Sequence, residues 1–149
     1  MIALGSDHGG LNLKKAVIDY LKDAGIEYVD FGTFGAESCD YSDFAYKVTD
    51  AVISGAAQYG ILVCGTGIGM SMAANKVRGI RAAACTDVFS AKATRAHNDA
   101  NVLCLGERVT GIGHALEIVK AFLAVPEADG GRHAARRAKI AAYEAGHFK

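Results

Sequence analysis

Short apolar runs alternate along this chain with longer stretches in which apolar residues recur every three or four positions. The first pattern fits strands and the second fits helices. "MIAL" (1–4) predicts a strand, and "LNLKKAVIDYLKDAG" (11–25) a helix closed by Gly25. "IEYVDFG" (26–32) predicts the second strand. "SDFAYKVTDAVISG" (42–55) predicts the second helix, with Ser42 or Asp43 placed to cap it. "YGILVC" (59–64), "IRAAAC" (80–85) and "NVLCLG" (101–106) predict three further strands. The helices between and after them read as "GMSMAANKV" (69–77), "DVFSAKATRAHN" (87–98), which Asp87 could cap, and "GHALEIVKAFLA" (113–124). Pro126 is the only proline, and a last, basic helix begins near Gly131.

Five strands separated by helices imply parallel pairing through right-handed crossovers. The fold class is α/β: one doubly wound, Rossmann-like five-stranded parallel sheet with helices on both faces. Ligands of such sheets bind beyond the carboxyl ends of the strands. The residues just after the strands are "GSDH" (5–8), "GT" (32–33), "CGT" (64–66), "TD" (86–87) and "GER" (106–108). His97 and Asn98 end the fourth helix and are expected near the same carboxyl edge. With no repeat, low-complexity segment or linker, residues 1–149 read as a single domain.

Composition narrows the classes. Apolar residues make up 51% and charged residues 21%, which argues against disorder. Sixteen basic residues balance sixteen acidic ones, so no overall charge points to nucleic acid. The balance is local, though: Arg132, Arg136, Arg137, Lys139 and Lys149 face Glu144 alone in the last eighteen residues, which suggests an anionic partner there. Cys39, Cys64, Cys85 and Cys104 form no CxxC pair and so no zinc signature. Three of them lie near the ends of apolar runs, where a buried thiol is the plain expectation, while Cys39 lies in a polar loop. Ser6, Asp7 and His8 break the first apolar run, so no signal peptide is expected, and no run approaches the roughly 20 residues of a membrane span. A cytoplasmic protein with reduced thiols is the expectation.

The candidate chemistry begins with Gly65, Gly67 and Gly69, a GxGxG between strand and helix. A dinucleotide fingerprint needs GxGxxG, and Met70 takes the last glycine's place, although Asp87 lies near where a ribose-binding acid falls. A Walker loop would need Lys followed by Ser or Thr. What remains is a tight loop of backbone N–H groups, suited to an anion, to a developing oxyanion, or simply to close packing. Cys64 before it is either a reactive thiol or a buried one, and Thr66 either a catalytic hydroxyl or a helix cap. Asp7 and His8 could bind sugar hydroxyls or phosphate, or shape a turn. His97 could be a general acid–base or a dipole partner at a helix end. Arg132 and Arg136, at i and i+4, share one helix face and suit a phosphate, or form a solvated basic face, while Arg137 points away.

Taken together, "GSDHGG" (5–10), "DYSDFA" (40–45), "CGTGIGMSMAANK" (64–76), "GIRAA" (79–83), "HNDANVL" (97–103), "GERVTG" (106–111) and "GGRHAARR" (130–137) closely resemble the ribose-5-phosphate isomerase B family. That family also includes galactose-6-phosphate and allose-6-phosphate isomerases. The resemblance implies an aldose–ketose isomerase without metal or cofactor, acting on a small phosphosugar. It also implies a homodimer, or a tetramer built from it, whose site lies between subunits, with no nucleic acid or membrane partner. By similarity, Cys64 is the base that moves a proton between C2 and C1, and Thr66 with the N–H groups around Gly65, Gly67 and Gly69 stabilises the cis-enediolate. His97 assists ring opening, Asn98 bonds the reacting oxygens, Asp7 orients the sugar, and Tyr41 lies near the ring-opening site. His8, with Arg132 and Arg136 of the partner chain, holds the phosphate, and Arg108 adds charge. Galactose-6-phosphate isomerases divide the loop cysteine and the histidine between two different chains. This chain has both, which favours D-ribose 5-phosphate and D-ribulose 5-phosphate, a step of the non-oxidative pentose phosphate pathway, over a six-carbon substrate. Ser42 stands where many members have proline, which bears on the rigidity of the Tyr41 loop. The reading from another class is a dinucleotide-binding module using the glycine loop and Asp87.

Overall fold

A computed structural model describes residues 1–147; Lys149, part of the basic C-terminal run, lies outside the described residues. Its elements in chain order are β1 (Ile2–Ser6), α1 (Leu11–Asp23), β2 (Tyr28–Asp30), α2 (Tyr41–Ile53), β3 (Tyr59–Cys64), α3 (Ile68–Ala74), β4 (Ala82–Ala84), α4 (Val88–Asn98), β5 (Val102–Gly106), α5 (Ile112–Leu123) and α6 (Gly131–His147). A single 3-10 turn, His8–Gly10, joins β1 to α1. The five strands form one sheet in the order β2-β1-β3-β5-β4, with every pair parallel.

Period-two alternation in the central strands supplies both cores. Ile2, Leu4, Ile61, Val63, Leu103 and Leu105 face α1, α4 and α5. Ala3, Leu62, Cys64, Val102 and Cys104 face α2 and α3. The chain steps toward β4 through α2 and α3 on one face, and back through α1 and α4 on the other. Opposite directions of travel on opposite faces is what crossovers of one hand require. The expected α/β sheet with helices on both faces is what forms.

The strands differ from expectation at the sheet's margins. β2 is limited to Tyr28–Asp30 instead of 26–32, and β4 to Ala82–Ala84 instead of 80–85. Both are edge strands, and short edges with a single pairing neighbour are the usual way a sheet ends. After β2 the chain is turned by a buried ion pair: Lys14 Nζ donates to both Asp30 carboxylate oxygens at 2.7 and 2.9 Å and to the Thr33 carbonyl at 2.7 Å. The Lys14 side chain is only 2% exposed. The α2 cap also differs: Asp40 is the N-cap and makes no side-chain capping bond, so Ser42 and Asp43 already lie within the helix. Asp87 does cap α4, accepting from the Ser90 N–H at 2.8 Å and from its hydroxyl at 2.7 Å.

A larger correction concerns His97 and Asn98. They end α4, whose next element is the start of β5. A helix linking parallel strands runs back from the carboxyl edge to the amino edge, so its last turn lies at the amino edge, not the carboxyl edge expected from sequence. At 1.5 Å per residue, α4 sets His97 roughly 15 Å from the edge where Cys64 ends β3.

Candidate active site

The first cluster forms where β1 and β3 end side by side. α1 leaves β1 on one face and α3 leaves β3 on the other, which opens the crevice typical of a topological switch point. Cys64, 5% exposed, sits at its floor. The Gly67 N–H donates to its sulfur at 3.1 Å. Gly67 has φ +78°, and a Cβ there would meet the Leu105 backbone at 3.0 Å, so the loop can turn under the thiol only with glycine. The Thr66 hydroxyl accepts from the Ile68 N–H at 3.3 Å.

Neighbouring loops close around this one. The Arg108 N–H donates to the Gly65 carbonyl at 3.0 Å, and its side chain lies over Gly65 and Gly9. The Asp7 carboxylate, in a residue 8% exposed, accepts from the Gly9 N–H at 2.8 Å and shapes the turn. His8 Nδ1 accepts from the Cys39 N–H at 3.2 Å. In the neutral ring that bond puts the proton on Nε2. The Tyr41 ring packs against Gly69. Asp7, His8, Tyr41, Cys64, Gly65, Thr66, Gly67, Gly69 and Arg108 are therefore brought together. Glu107, which sequence reasoning missed, ties this edge down: its carboxylate accepts from the Leu13 N–H at 2.8 Å and from Asn12 at 2.9 Å, anchoring the Arg108 turn to the start of α1.

The second cluster lies at the amino edge. The His97 and His133 rings stack with centroids 4.1 Å apart and planes 6° from parallel. His97 Nε2 is 3.7 Å from Asp129 Oδ2. Arg137 donates to the His97 and Asp129 carbonyls, each at 2.9 Å. Arg132 and Arg136 are exposed beside this pair, and Arg132 Nε lies 3.4 Å from His133 Nε2. Partial desolvation, then the charges of His97 and Arg132, hold His133 below the usual histidine value. Asn98 lines an adjacent cavity of about 380 Å³ under α6, with Ile80, Arg81 and Tyr143. The sequence carried a signal for His133, which sits between the two arginines of one helix face; it carried none for Asp129.

Among the described residues, His97, Asp129 and His133 bring ligating atoms within 4.8 Å of one another and form the cluster that could hold a metal. Parallel stacking, however, sends the two rings' lone pairs side by side instead of toward a common point. The Arg132 and Arg136 charges that bear on His133 also repel a cation. The cluster suits an anion better.

Cys85 and Cys104 are buried away from solvent. Burial, then the Asp87 charge, pushes Cys85 up to about 11. Burial, then Cys64 and Cys85, raises Cys104 well above its usual value. Neither thiol is available as a nucleophile near neutral pH.

The ribose/galactose isomerase family model matches residues 2–140. The chain belongs to the ribose/galactose isomerase family. It is 46% identical over 143 residues to ribose-5-phosphate isomerase B of Escherichia coli K12, covering 96% of this chain and 95% of that one. A solved ribose-5-phosphate isomerase B from Clostridium thermocellum superposes with a TM-score of 0.95 at 55% identity, covering 98% of each chain. That of Mycoplasma genitalium, with bound ribulose-5-phosphate, superposes at 0.92 with 42% identity, covering 97% of this chain and 95% of that one. Among the described residues no helix is long and apolar enough to cross a membrane.

Proposed function

We propose that this chain interconverts D-ribose 5-phosphate and D-ribulose 5-phosphate through a cis-enediolate, as an isomerase of the non-oxidative pentose phosphate pathway that needs no cofactor. The observation that carries this reading is Cys64 at the end of β3 with the Gly67 N–H 3.1 Å from its sulfur. The ribulose-5-phosphate bound to the M. genitalium relative supports the substrate.

Cys64 takes the C2 proton of the open-chain aldose. The C2–H pair becomes the C1=C2 bond, and the carbonyl pair moves onto O1. The Thr66 hydroxyl faces that developing charge together with the loop N–H groups other than those of Gly67 and Ile68, which Cys64 and Thr66 already take; fixed donors stabilise such charge without reorganising. The O2 hydroxyl proton passes to O1, and Cys64 returns its proton to C1 as the carbonyl re-forms at C2, which completes the ketose. Asp7 orients the sugar, Tyr41 flanks it, and His8 donates to the phosphate through Nε2–H beside Arg108. The phosphate is remote from the reacting carbons, so its binding energy positions the substrate.

His97 opens the furanose ring, Asn98 bonds the reacting oxygens, and Arg132 and Arg136 hold the phosphate, all from a second copy. The placement of Cys64 and His97 at opposite edges of one sheet supports this, because a five-carbon sugar cannot span roughly 15 Å. Exposed apolar side chains support it too: Ile68 and Met72, one turn apart on α3, are 53% and 63% exposed, and Tyr41 is 44% exposed. The assembly is then a homodimer at least. Four free cysteines suit a cytoplasmic enzyme.

The dinucleotide alternative loses its ribose-binding acid, since both Asp87 carboxylate oxygens are held by Ser90. A turnover assay across ribose 5-phosphate, allose 6-phosphate and galactose 6-phosphate tests the proposal. The expected result is the highest specificity constant on ribose 5-phosphate. Preference for a six-carbon substrate would move the assignment within the family, and no turnover at all, with NAD binding by calorimetry, would overturn it.

A further inference from the structure

The segment between α5 and α6 is fastened to α4 through main-chain oxygens. The Asp129 N–H donates to the Ala96 carbonyl at 2.6 Å, and Arg137 donates to the carbonyls of His97 and Asp129. None of these bonds uses the Asp129 carboxylate. Its contact instead is with Nε2 of His97, at 3.7 Å, while His133 covers the face of the same ring. The His97 imidazole is thus bounded at one nitrogen by a carboxylate that the local fold does not employ.

We infer that Asp129 is the positioning residue of ring opening: its carboxylate holds the Nε2–H tautomer of His97 and so leaves Nδ1 as the nitrogen that works on the sugar. A carboxylate facing one ring nitrogen is what selects a histidine tautomer. A separation of 3.7 Å exceeds a hydrogen bond, and such contacts often tighten only when substrate is bound. The step balances on His97 alone. Nδ1 takes the proton from the O1 hydroxyl, and the O1 pair forms the C1 carbonyl. The C1–O4 bond then breaks, its electrons go to O4, and O4 receives the proton from Nδ1. His133, stacked on the ring, keeps it from swinging out of line.

This inference rests on the isomerase reading, and the test separates the two. Asp129→Ala and Asp129→Glu are compared with the unaltered protein. One readout is kcat on ribose 5-phosphate. The other is the affinity for D-ribitol 5-phosphate, a linear phosphate with no ring to open. Asp129→Ala is expected to lose about tenfold or more in kcat, with polyol affinity held within about twofold, while Asp129→Glu recovers most of the rate. Unchanged kcat in Asp129→Ala would overturn the inference. So would a parallel loss of polyol affinity, which marks a structural role, or an equal loss in both variants, which shows that no carboxylate is needed. If the unaltered protein does not turn over ribose 5-phosphate, the isomerase reading falls, and this inference with it.

Discussion

Cys64 and His97 stand at opposite edges of the same sheet, one closing β3 and the other in the last turn of α4. If both serve one reaction, each site takes Cys64 from one copy and His97 from the other. Cys64→Ala and His97→Asn should each lower kcat by about 10²–10⁴-fold, the range for a lost general acid or base. Mixed and allowed to exchange subunits, the two inactive proteins should regain about a quarter of the unaltered activity, because half the dimers are mixed and each mixed dimer holds one intact site. No recovery after proven exchange would refute the shared site.

Gly106 lies under the thiol loop, and its replacement tests how tightly that loop is seated. A Cβ at Gly106 would come within 2.6 Å of the Thr66 carbonyl carbon. The obstacle is backbone, so the loop itself must move. Gly106→Ala should cost about 1–3 kcal/mol of stability in a urea melt. Turnover at a temperature where the variant is still folded should fall further than that loss explains, since Thr66 and its N–H neighbours are displaced.

The Lys14–Asp30 pair makes a prediction that is independent of catalysis. Lys14→Met removes the cation and leaves Asp30, whose side chain is 18% exposed, facing a buried gap. The expected destabilisation is about 3 kcal/mol, the low end for breaking a buried pair, because Asp30 retains some solvent and the Gly32 N–H at 2.9 Å. Chemical denaturation of the variant checks it.

Alkaline stability should depend on Cys85. In the folded chain its thiol is pushed up to about 11, from an ordinary 9.0. Between those values the folded protein keeps a proton that the unfolded chain has lost. The contribution is therefore complete below pH 9.0 and disappears as the pH rises toward about 11. Replacing Cys85 with alanine should reduce the stability lost over that interval by on the order of 2–3 kcal/mol. An identical pH dependence in the variant would count against it.

Apolar periodicity was enough to locate all five strands and the helices between them, because each strand's alternate residues feed two separate cores. It could not give the lengths of β2 and β4, which depend on having one neighbour rather than two. Nor could it identify Lys14, which reads as the polar face of a helix but is buried by a carboxylate sixteen residues away. The glycine loop was legible because its chemistry is contiguous in sequence. His97 was misplaced although its place just before β5 puts it at the start of that strand, because the return of a crossover helix to the amino edge was not carried through. Asp129 reaches His97 only through the return of the chain after α5, a relation that no local pattern encodes.

The Arg137 clamp has a consequence for how this chain can change over time. Its guanidinium grips two carbonyl oxygens and reads no side chain. The connection it secures can therefore drift in residue identity, Asp129 excepted, without loosening its hold on α4. Variation should accumulate freely in that stretch between related proteins while the arginine itself stays fixed.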